Sequence, residues 1–369
     1  RDLNSEPGYL TDVGLQSTQN LGQQLRRLYV DQLRFLPQRL TNAGHFYLRC
    51  TRYPRTFLSL QQVYEGLYPS RYRDANKNIA PVEIRSPQEE TLLPNEDHCP
   101  RLKYLLDHFL VLTAKKWNTS PALTNLNKRA RKYLSSKTDA LIDSHPSVTN
   151  LFDTITAAEA TPSLRASIPA DLRTSNVCYT LREIAVEQEY VAFAESAEAA
   201  SLGAGPLLRE MVERMVTTAL TTASNGAVSQ PRIALFGCHD TTIGMILVSL
   251  KIAEPSLWEW PPFTSHLSVE LFRSAVTREA EGLLEYDVGS KTIDAVDYFV
   301  RIRYNSRSVV VPGCRERGAH LDGDESFCTL VSDAYEYLMQ SDFGMDMGSS
   351  GTTVVFDISP NGVTNSVTI

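Results

Sequence analysis

The chain reads as an α/β sandwich interrupted by a helical cap. A short apolar strand, His45 to Cys50, runs through a polar turn into a helix, and the same order recurs from Arg232 to Leu250. Between the two lies a long stretch rich in Ala, Thr, Ser, Leu and charge, with helical spacing and little strand signal. The division that follows is an α/β core of residues 1–95 and 228–330, a helical cap of residues 96–227, and a C-terminal helix and tail of residues 331–369.

Each element has its own local warrant. Thr11 stands where an N-cap belongs, ahead of Gly14, Thr18, Leu21, Leu25 and Leu28 at spacings of three and four. This predicts an amphipathic helix packed on a sheet, with Arg26 and Arg27 near its end. After the Pro37 loop, His45 to Cys50 is the first strand, Thr51 to Thr56 the polar turn, and a helix from Phe57 to about Glu65 closes at Gly66. In the cap, Leu208, Met211, Val212, Met215, Val216 and Ala219 mark one apolar helix face. The core resumes with the strand Arg232 to Gly237, the turn Cys238 to Thr242, and the apolar helix Ile243 to Leu250. Leu267, Val269 and Leu271 alternate, as do Tyr298, Val300, Ile302 and Tyr304, which predicts two half-exposed strands.

Composition narrows the function classes. With 369 residues, a net charge of −7, 42% hydrophobic and 21% charged residues, the chain has ordinary globular composition, and disorder is excluded as its main state. The acidic balance argues against a general nucleic-acid binder, although a local basic pocket for phosphate stays open. The longest apolar run, Gly244 to Leu250, meets Lys251 at once, so no integral membrane segment is expected. Six cysteines without C-x-x-C, and seven histidines without zinc-like spacing, give no expectation of a metal site. The cysteine count fits disulfides or a reduced compartment equally, and the sequon Asn118-Thr119-Ser120 leans weakly towards the former. The polar opening at Arg1, without Met or a leader, is expected of a processed or trimmed chain.

In open α/β sheets ligands sit beyond the carboxyl ends of the strands. The polar segments around Arg55 and around His239-Asp240 both fall at such ends, and adjacent strands would make them one site of cation, imidazole and carboxylate. That set suits an anionic substrate that needs a proton. Arg49, Arg52 and Arg55 are either solvated charges or a phosphate clamp, since guanidinium binds phosphate oxygens in bidentate fashion. The dipeptide His239-Asp240 is either a satisfied core pair or a working one. In the second case the carboxylic acid protonates a leaving oxygen, while the imidazole and helix N-terminal amides bind an oxyanion.

These residues carry a family resemblance. Leu48-Arg49-Cys50-Thr51-Arg52-Tyr53-Pro54-Arg55-Thr56-Phe57-Leu58-Ser59, ending at Gly66-Leu67-Tyr68-Pro69, resembles the R-S-T-x-x-x-R-T-x-x-S … G-L-x-P segment of the histidine acid phosphatases. Phe236 to Ile243 is similar to that family's H-D-T-T-I proton-donor motif, and Leu10-Thr11-Asp12-Val13-Gly14 to its L-T-x-x-G. Leu93-Pro94-Asn95 with Cys99 also matches. Trp260-Pro261-Pro262-Phe263 resembles the lysophosphatidic acid phosphatase branch in particular, and Cys314 and Cys328 resemble the family's closing cysteine pair. The resemblance covers most of the chain outside the cap. It implies a phosphoglycerate-mutase-like three-layer sandwich with a mixed central sheet. It also implies that Arg55 holds phosphate, with Arg49 in support, that His239 binds a phosphate oxygen, and that Asp240 is the general acid. No cofactor is implied. Implied partners are a small phosphate ester or a lysophospholipid, and the compartment is mitochondrial or secretory and lysosomal.

One feature of the family is missing. Its nucleophile is a histidine in an R-H-G-x-R-x-P segment on a central strand upstream of L-T-x-x-G, and none of the seven histidines here stands in such a segment. The expectation divides accordingly. Either the strand lies on an upstream segment and the protein is an acid phosphomonoesterase working through phosphohistidine, or the lineage has lost it and the protein is an inactive structural or binding subunit with protein assembly partners. The strand-like Thr353 to Ile358 is a candidate to fill the central place in the sheet.

Overall fold

Thr11 caps the first helix as its position suggests, its Oγ1 accepting from the Gly14 N–H at 3.2 Å. In the computed structural model the described residues are 8–74, 80–134, 137–223, 231–252, 259–274, 285–288, 291–294, 298–330 and 365–368. Helix α1 (Asp12–Leu25) buries Leu21 and Leu25 and runs on into a π-helical turn, Arg26–Gln32. Strand β1 (Phe46–Cys50), helix α2 (Pro54–Leu67) and the short strand β2 (Val82–Glu83) follow. Helix α2 begins earlier than its apolar spacing suggests. Pro54 occupies a first-turn position, where a missing N–H leaves no helical bond unmade.

Seven helices come next: α3 (Pro100–Trp117), α4 (Pro121–Ala130), α5 (Val148–Ala160), α6 (Pro162–Arg165), α7 (Ser175–Glu195), α8 (Ala197–Gly203) and α9 (Gly205–Ala223). They divide by what they bury. Trp117, Leu123, Phe152 and Leu181 belong to a core made of α3, α4, α5, α7 and the segments between them. Leu208, Met211 and Met215 of α9 instead join the core over the sheet. The last helix of the sequence-predicted cap therefore packs on the sheet.

Strand β3 (Ile233–Gly237) and helix α10 (Asp240–Ser249) form the second strand-turn-helix unit. The remaining strands are β4 (Leu267–Arg273), β5 (Glu285–Val288), β6 (Lys291–Asp294), β7 (Tyr298–Tyr304), β8 (Arg307–Val309), β9 (His320–Leu321), β10 (Asp324–Thr329) and β11 (Asn365–Thr368). β5 and β6 pair only with each other. The main sheet runs β2-β1-β3-β11-β4-β7-β10-β9, with β8 on β7; it is parallel from β2 to β11 and antiparallel beyond. Side-chain alternation on β4 separates the two faces. Val269 and Leu271 pack with α9 and α10, whereas the intervening Glu270 accepts from the Tyr29 hydroxyl at 2.7 Å on the α1 side. Leu21 and Leu25 of α1 and Leu60 of α2 cover Leu48 and Leu235 on that same side. The result is the three-layer sandwich with a mixed sheet.

β11 lies between β3 and β4, pairing in parallel with Ile233 and Ala234 and antiparallel with Val269 to Phe272. Thr353 to Ile358 and the helix expected after residue 330 fall outside the described residues. Cys314 and Cys328 form a disulfide across 14 residues, as the resemblance implies.

Helices α1 and α2 meet backbone to backbone at Gly66, where a Cβ would stand 2.2 Å from the Gln19 carbonyl oxygen. Gly66→Ala must push the helices apart over their shared core. The expected loss is about 1–3 kcal/mol of unfolding free energy, read as a lower urea midpoint with unchanged slope.

Candidate active site

β1 and β3 are parallel and in register from Phe46 opposite Ile233 to Cys50 opposite Gly237, so their carboxyl ends emerge side by side. The Thr51 N–H donates to the Gly237 carbonyl at 3.2 Å and carries the pairing past the strand ends. Arg55 follows in the first turn of α2, and His239 is the N-cap of α10, with Asp240 its first residue. Residues far apart in sequence thus share one cavity of about 420 Å³, lined by Arg55, His239 and Asp240 and further by Ser17, Ala157 and His266. Tyr9, Val13 and Phe263 are exposed on its rim.

Each group is held by its neighbours. Thr51 Oγ1 lies 3.0 Å from His239 Nε2 and 2.9 Å from Thr56 Oγ1, and the Thr56 hydroxyl is within 2.8 Å of the Tyr53 carbonyl. Tyr53 meets the His239 ring edge to face at 5.2 Å and lies under the Arg55 guanidinium at 4.8 Å. Thr242 Oγ1 accepts from the His239 N–H at 3.3 Å and donates to the Leu92 carbonyl at 2.6 Å, which fixes the start of α10. Asp240 Oδ1 accepts from the Thr241 N–H at 3.0 Å, and Oδ2 from Trp260 Nε1–H at 2.7 Å.

Burial, reinforced by Arg55 and opposed by Asp240, pushes His239 down to about 4. Its ring is therefore neutral in mild acid. Two carboxyls of the helical layer respond in the opposite sense. Loss of hydration and the charge on Asp240 push Asp153 up to about 6, against the pull of Arg55. Burial, with Asp153, Asp240 and Glu96 nearby, pushes Glu189 up to about 7. Burial also takes the Cys238 thiol up to about 12, which leaves it an inert neighbour. A neutral imidazole, a guanidinium and a carboxyl with two donors on it, at the carboxyl ends of parallel strands, can bind an oxyanion and exchange a proton beside it.

The family model for the histidine phosphatase superfamily (branch 2) matches residues 2–305. This chain belongs to that superfamily. A probable acid phosphatase of Schizosaccharomyces pombe is 32% identical over 88% of this chain and 72% of its own length. Lysophosphatidic acid phosphatase type 6 of Mus musculus is 26% identical over 85% of this chain and 66% of its own. Among solved structures, a Klebsiella phytase superposes with a TM-score of 0.58 at 15% identity, covering 95% of this chain and 90% of that one. A Citrobacter braakii phytase gives 0.55 at 14%, covering 92% and 89%. These structural likenesses show the fold of this chain.

Not every sequence-predicted residue of this histidine phosphatase reaches the cavity. Arg55, His239 and Asp240 do. Arg49, expected in support of phosphate, is 0% exposed on β1 and is held elsewhere, with Nη1 on Glu210 at 2.6 Å and Nη2 on Glu90 at 2.7 Å. Arg49 does not line the cavity. Arg52 is exposed and does not line it. Conversely, the sequence gives no sign that His266 lines the cavity or that Thr51, Trp260, Asp153 and Glu189 act on His239 and Asp240. Thr51 and Trp260 sat inside recognised motifs without a role attached, and nothing in the helical stretch distinguishes Asp153 or Glu189 from solvated carboxylates.

The raised carboxyl of Glu189 has a measurable sign. Between about pH 4.5 and 7 the folded state holds a proton that the unfolded state releases, so this group's contribution to stability falls as pH rises through that window. Glu189→Gln should match the parent at pH 4 and melt about 2 °C or more above it at pH 8. In the parent, NMR titration of the His239 ring should show a midpoint near the value of about 4 set by its burial.

Proposed function

We propose that this chain is the larger part of an acid phosphomonoesterase. Arg55 and the neutral His239 hold the phosphoryl group, Asp240 protonates the leaving alkoxide, and a histidine nucleophile on an upstream segment forms phosphohistidine that water then hydrolyses. The convergence of Arg55, His239 and Asp240 on one cavity carries this reading. The position of the cavity supports it further. Leu235, Phe236 and Gly237 of β3 and Leu267 of β4 line it beyond the stretch that β11 pairs, which is where a strand carrying the nucleophile would present its residues. Similarity to acid and lysophosphatidic acid phosphatases points the same way.

The leaving-group side argues for the kind of ester. Asp240 is flanked by the Asp153 and Glu189 carboxyls and by Trp260, with Tyr9, Val13 and Phe263 on the rim. Such a rim accepts apolar surface. Monoesters of largely apolar alcohols, with lysophosphatidate-like lipids among them, fit it.

A second reading has its own observation. β11 already occupies a place between β3 and β4, so a chain that supplies this strand itself could serve as an inactive binding or structural subunit within an assembly.

N-terminal sequencing and intact mass of the native polypeptide, with a p-nitrophenyl phosphate assay on the same sample, decide between them. An upstream Arg-His-Gly with turnover is expected. An inert native chain beginning near Arg1 would establish the second reading. In the active protein, Asp240→Asn should slow alkyl phosphates by about 10²-fold or more and p-nitrophenyl phosphate much less, because the better leaving group needs less help from an acid. Arg55→Ala should weaken inhibition by inorganic phosphate about 10–100-fold. Equal losses on both esters, or unchanged phosphate inhibition, would remove those residues from their roles.

A further inference from the structure

The acid Asp240 is held from outside its own helix by Trp260. The indole Nε1–H donates to Oδ2 at 2.7 Å, while the Thr241 amide takes Oδ1 at 3.0 Å, so each carboxyl oxygen has one donor on it. Trp260 is itself clamped by the helical layer. Phe152 of α5 meets its ring edge to face at 5.0 Å, and Tyr190 of α7 lies tilted against it at 5.5 Å. The Tyr190 hydroxyl donates to the Asp240 carbonyl at 3.3 Å, and α10 admits this ring only because residue 244 is glycine, where a Cβ would stand 2.2 Å from the Tyr190 ring. The chain after Trp260 is equally constrained. Pro261 and Pro262 fix two successive φ angles, and Thr264 is tied to α1 by a 2.6 Å contact between its Oγ1 and Ser17 Oγ.

The geometry points to Trp260 as the positioning residue for Asp240, seated by Phe152 and Tyr190 so that the helical layer fixes the direction in which the acid delivers its proton. This rests on the reading of Asp240 as the general acid. A carboxyl beside a bound phosphate has several rotamers open to it, and an N–H donor on one oxygen selects the one whose other edge faces the cavity. The titratable and charged groups around this carboxyl are Asp153 from α5, Glu189 and Tyr190 from α7, Cys238 and His239 from the β3–α10 turn, and Arg55 from α2. Among them Trp260 adds a donor without adding charge. It orients the carboxyl through a hydrogen bond alone.

The test uses the full-length native enzyme with Trp260→Phe, which keeps an aromatic ring between Phe152 and Tyr190 and removes only the N–H. Loss of positioning predicts that kcat on an alkyl phosphate falls about tenfold, the size of one hydrogen bond to a charged group. The same variant should keep p-nitrophenyl phosphate turnover and both KM values within about twofold. Equal losses on both esters would reduce Trp260 to packing and overturn the proposal. Asp240→Asn, run beside it, separates the two layers of argument. If it shows no leaving-group dependence, the general-acid assignment fails whatever Trp260 does.

A readout that needs no turnover covers a chain that proves inert. Asp240→Asn should shift the tryptophan emission of the parent, and the same substitution made on Trp260→Phe should leave the emission unchanged. An unshifted emission in Asp240→Asn would show that the indole does not sense this carboxyl, and the proposal would fall.

Discussion

The parallel register of β1 on β3 is the constraint on which the site depends. Five consecutive residues of each strand pair, and the Thr51 N–H extends the ladder onto the Gly237 carbonyl. Parallel strands end on the same side of a sheet, so two turns from opposite ends of the sequence are forced together. A slip of one residue would turn Phe46, Leu48 and Leu235 away from α1 and α2 and place them against the other layer, so the apolar pattern pins the register that aligns the catalytic turns. The same alignment brings Thr51 within hydrogen-bonding reach of His239. The imidazole is thereby oriented from β1 although it stands on α10.

Beneath this site a buried ion network ties the sheet to the helical layer. Glu210 of α9 receives Arg49 of β1, Arg85 of the segment after β2, and Arg214 one turn along its own helix. Burial alone would raise the Glu210 carboxyl, but Arg49, Arg214 and Arg85 outweigh it and hold it below the ordinary range. A pair of this kind contributes little net stability over an apolar substitute, yet removing one partner leaves an uncompensated charge in the core. Its reach extends upward. Glu90 Oε1 accepts from both Arg49 and the Leu92 N–H, and the Leu92 carbonyl accepts from Thr242 at the head of α10. Arg49 is thereby linked to the head of α10 through Glu90 and the backbone of Leu92.

What the sequence disclosed follows from which interactions are local. The cap at Thr11, the strand at Phe46 to Cys50 and the two turns were legible because each depends on neighbours a few residues away. The ion pairs of Arg49 were not legible, because a trio of arginines at a strand end looks the same whether its charges meet a ligand or buried carboxylates. The deciding partners, Glu90 and Glu210, lie far along the chain. Trp260 was noticed as part of a motif and given no role, since its partner is known only once α10 and the segment before β4 are side by side. The packing of α9 on the sheet was hidden for a similar reason. An apolar helix face states that something covers it and does not state what.

Under the proposed function, the raised carboxyls favour acid conditions. At neutral pH, ionised Asp153 and Glu189 would add negative charge around Asp240, and each further charge makes binding a phosphate dianion less favourable. In mild acid both tend to be protonated while His239, pushed down to about 4, is still neutral. Arg55 is then the cation that faces the phosphoryl group with least competition from anions on the opposite wall. The groups that penalise ionisation around Asp240 are thus contributed by α5 and α7, whereas Arg55 and His239 stand in the turns and helix starts that follow β1 and β3. In the proposed function, proton delivery and phosphate binding meet at Asp240, and the interface between these two sets of elements is where their balance is set.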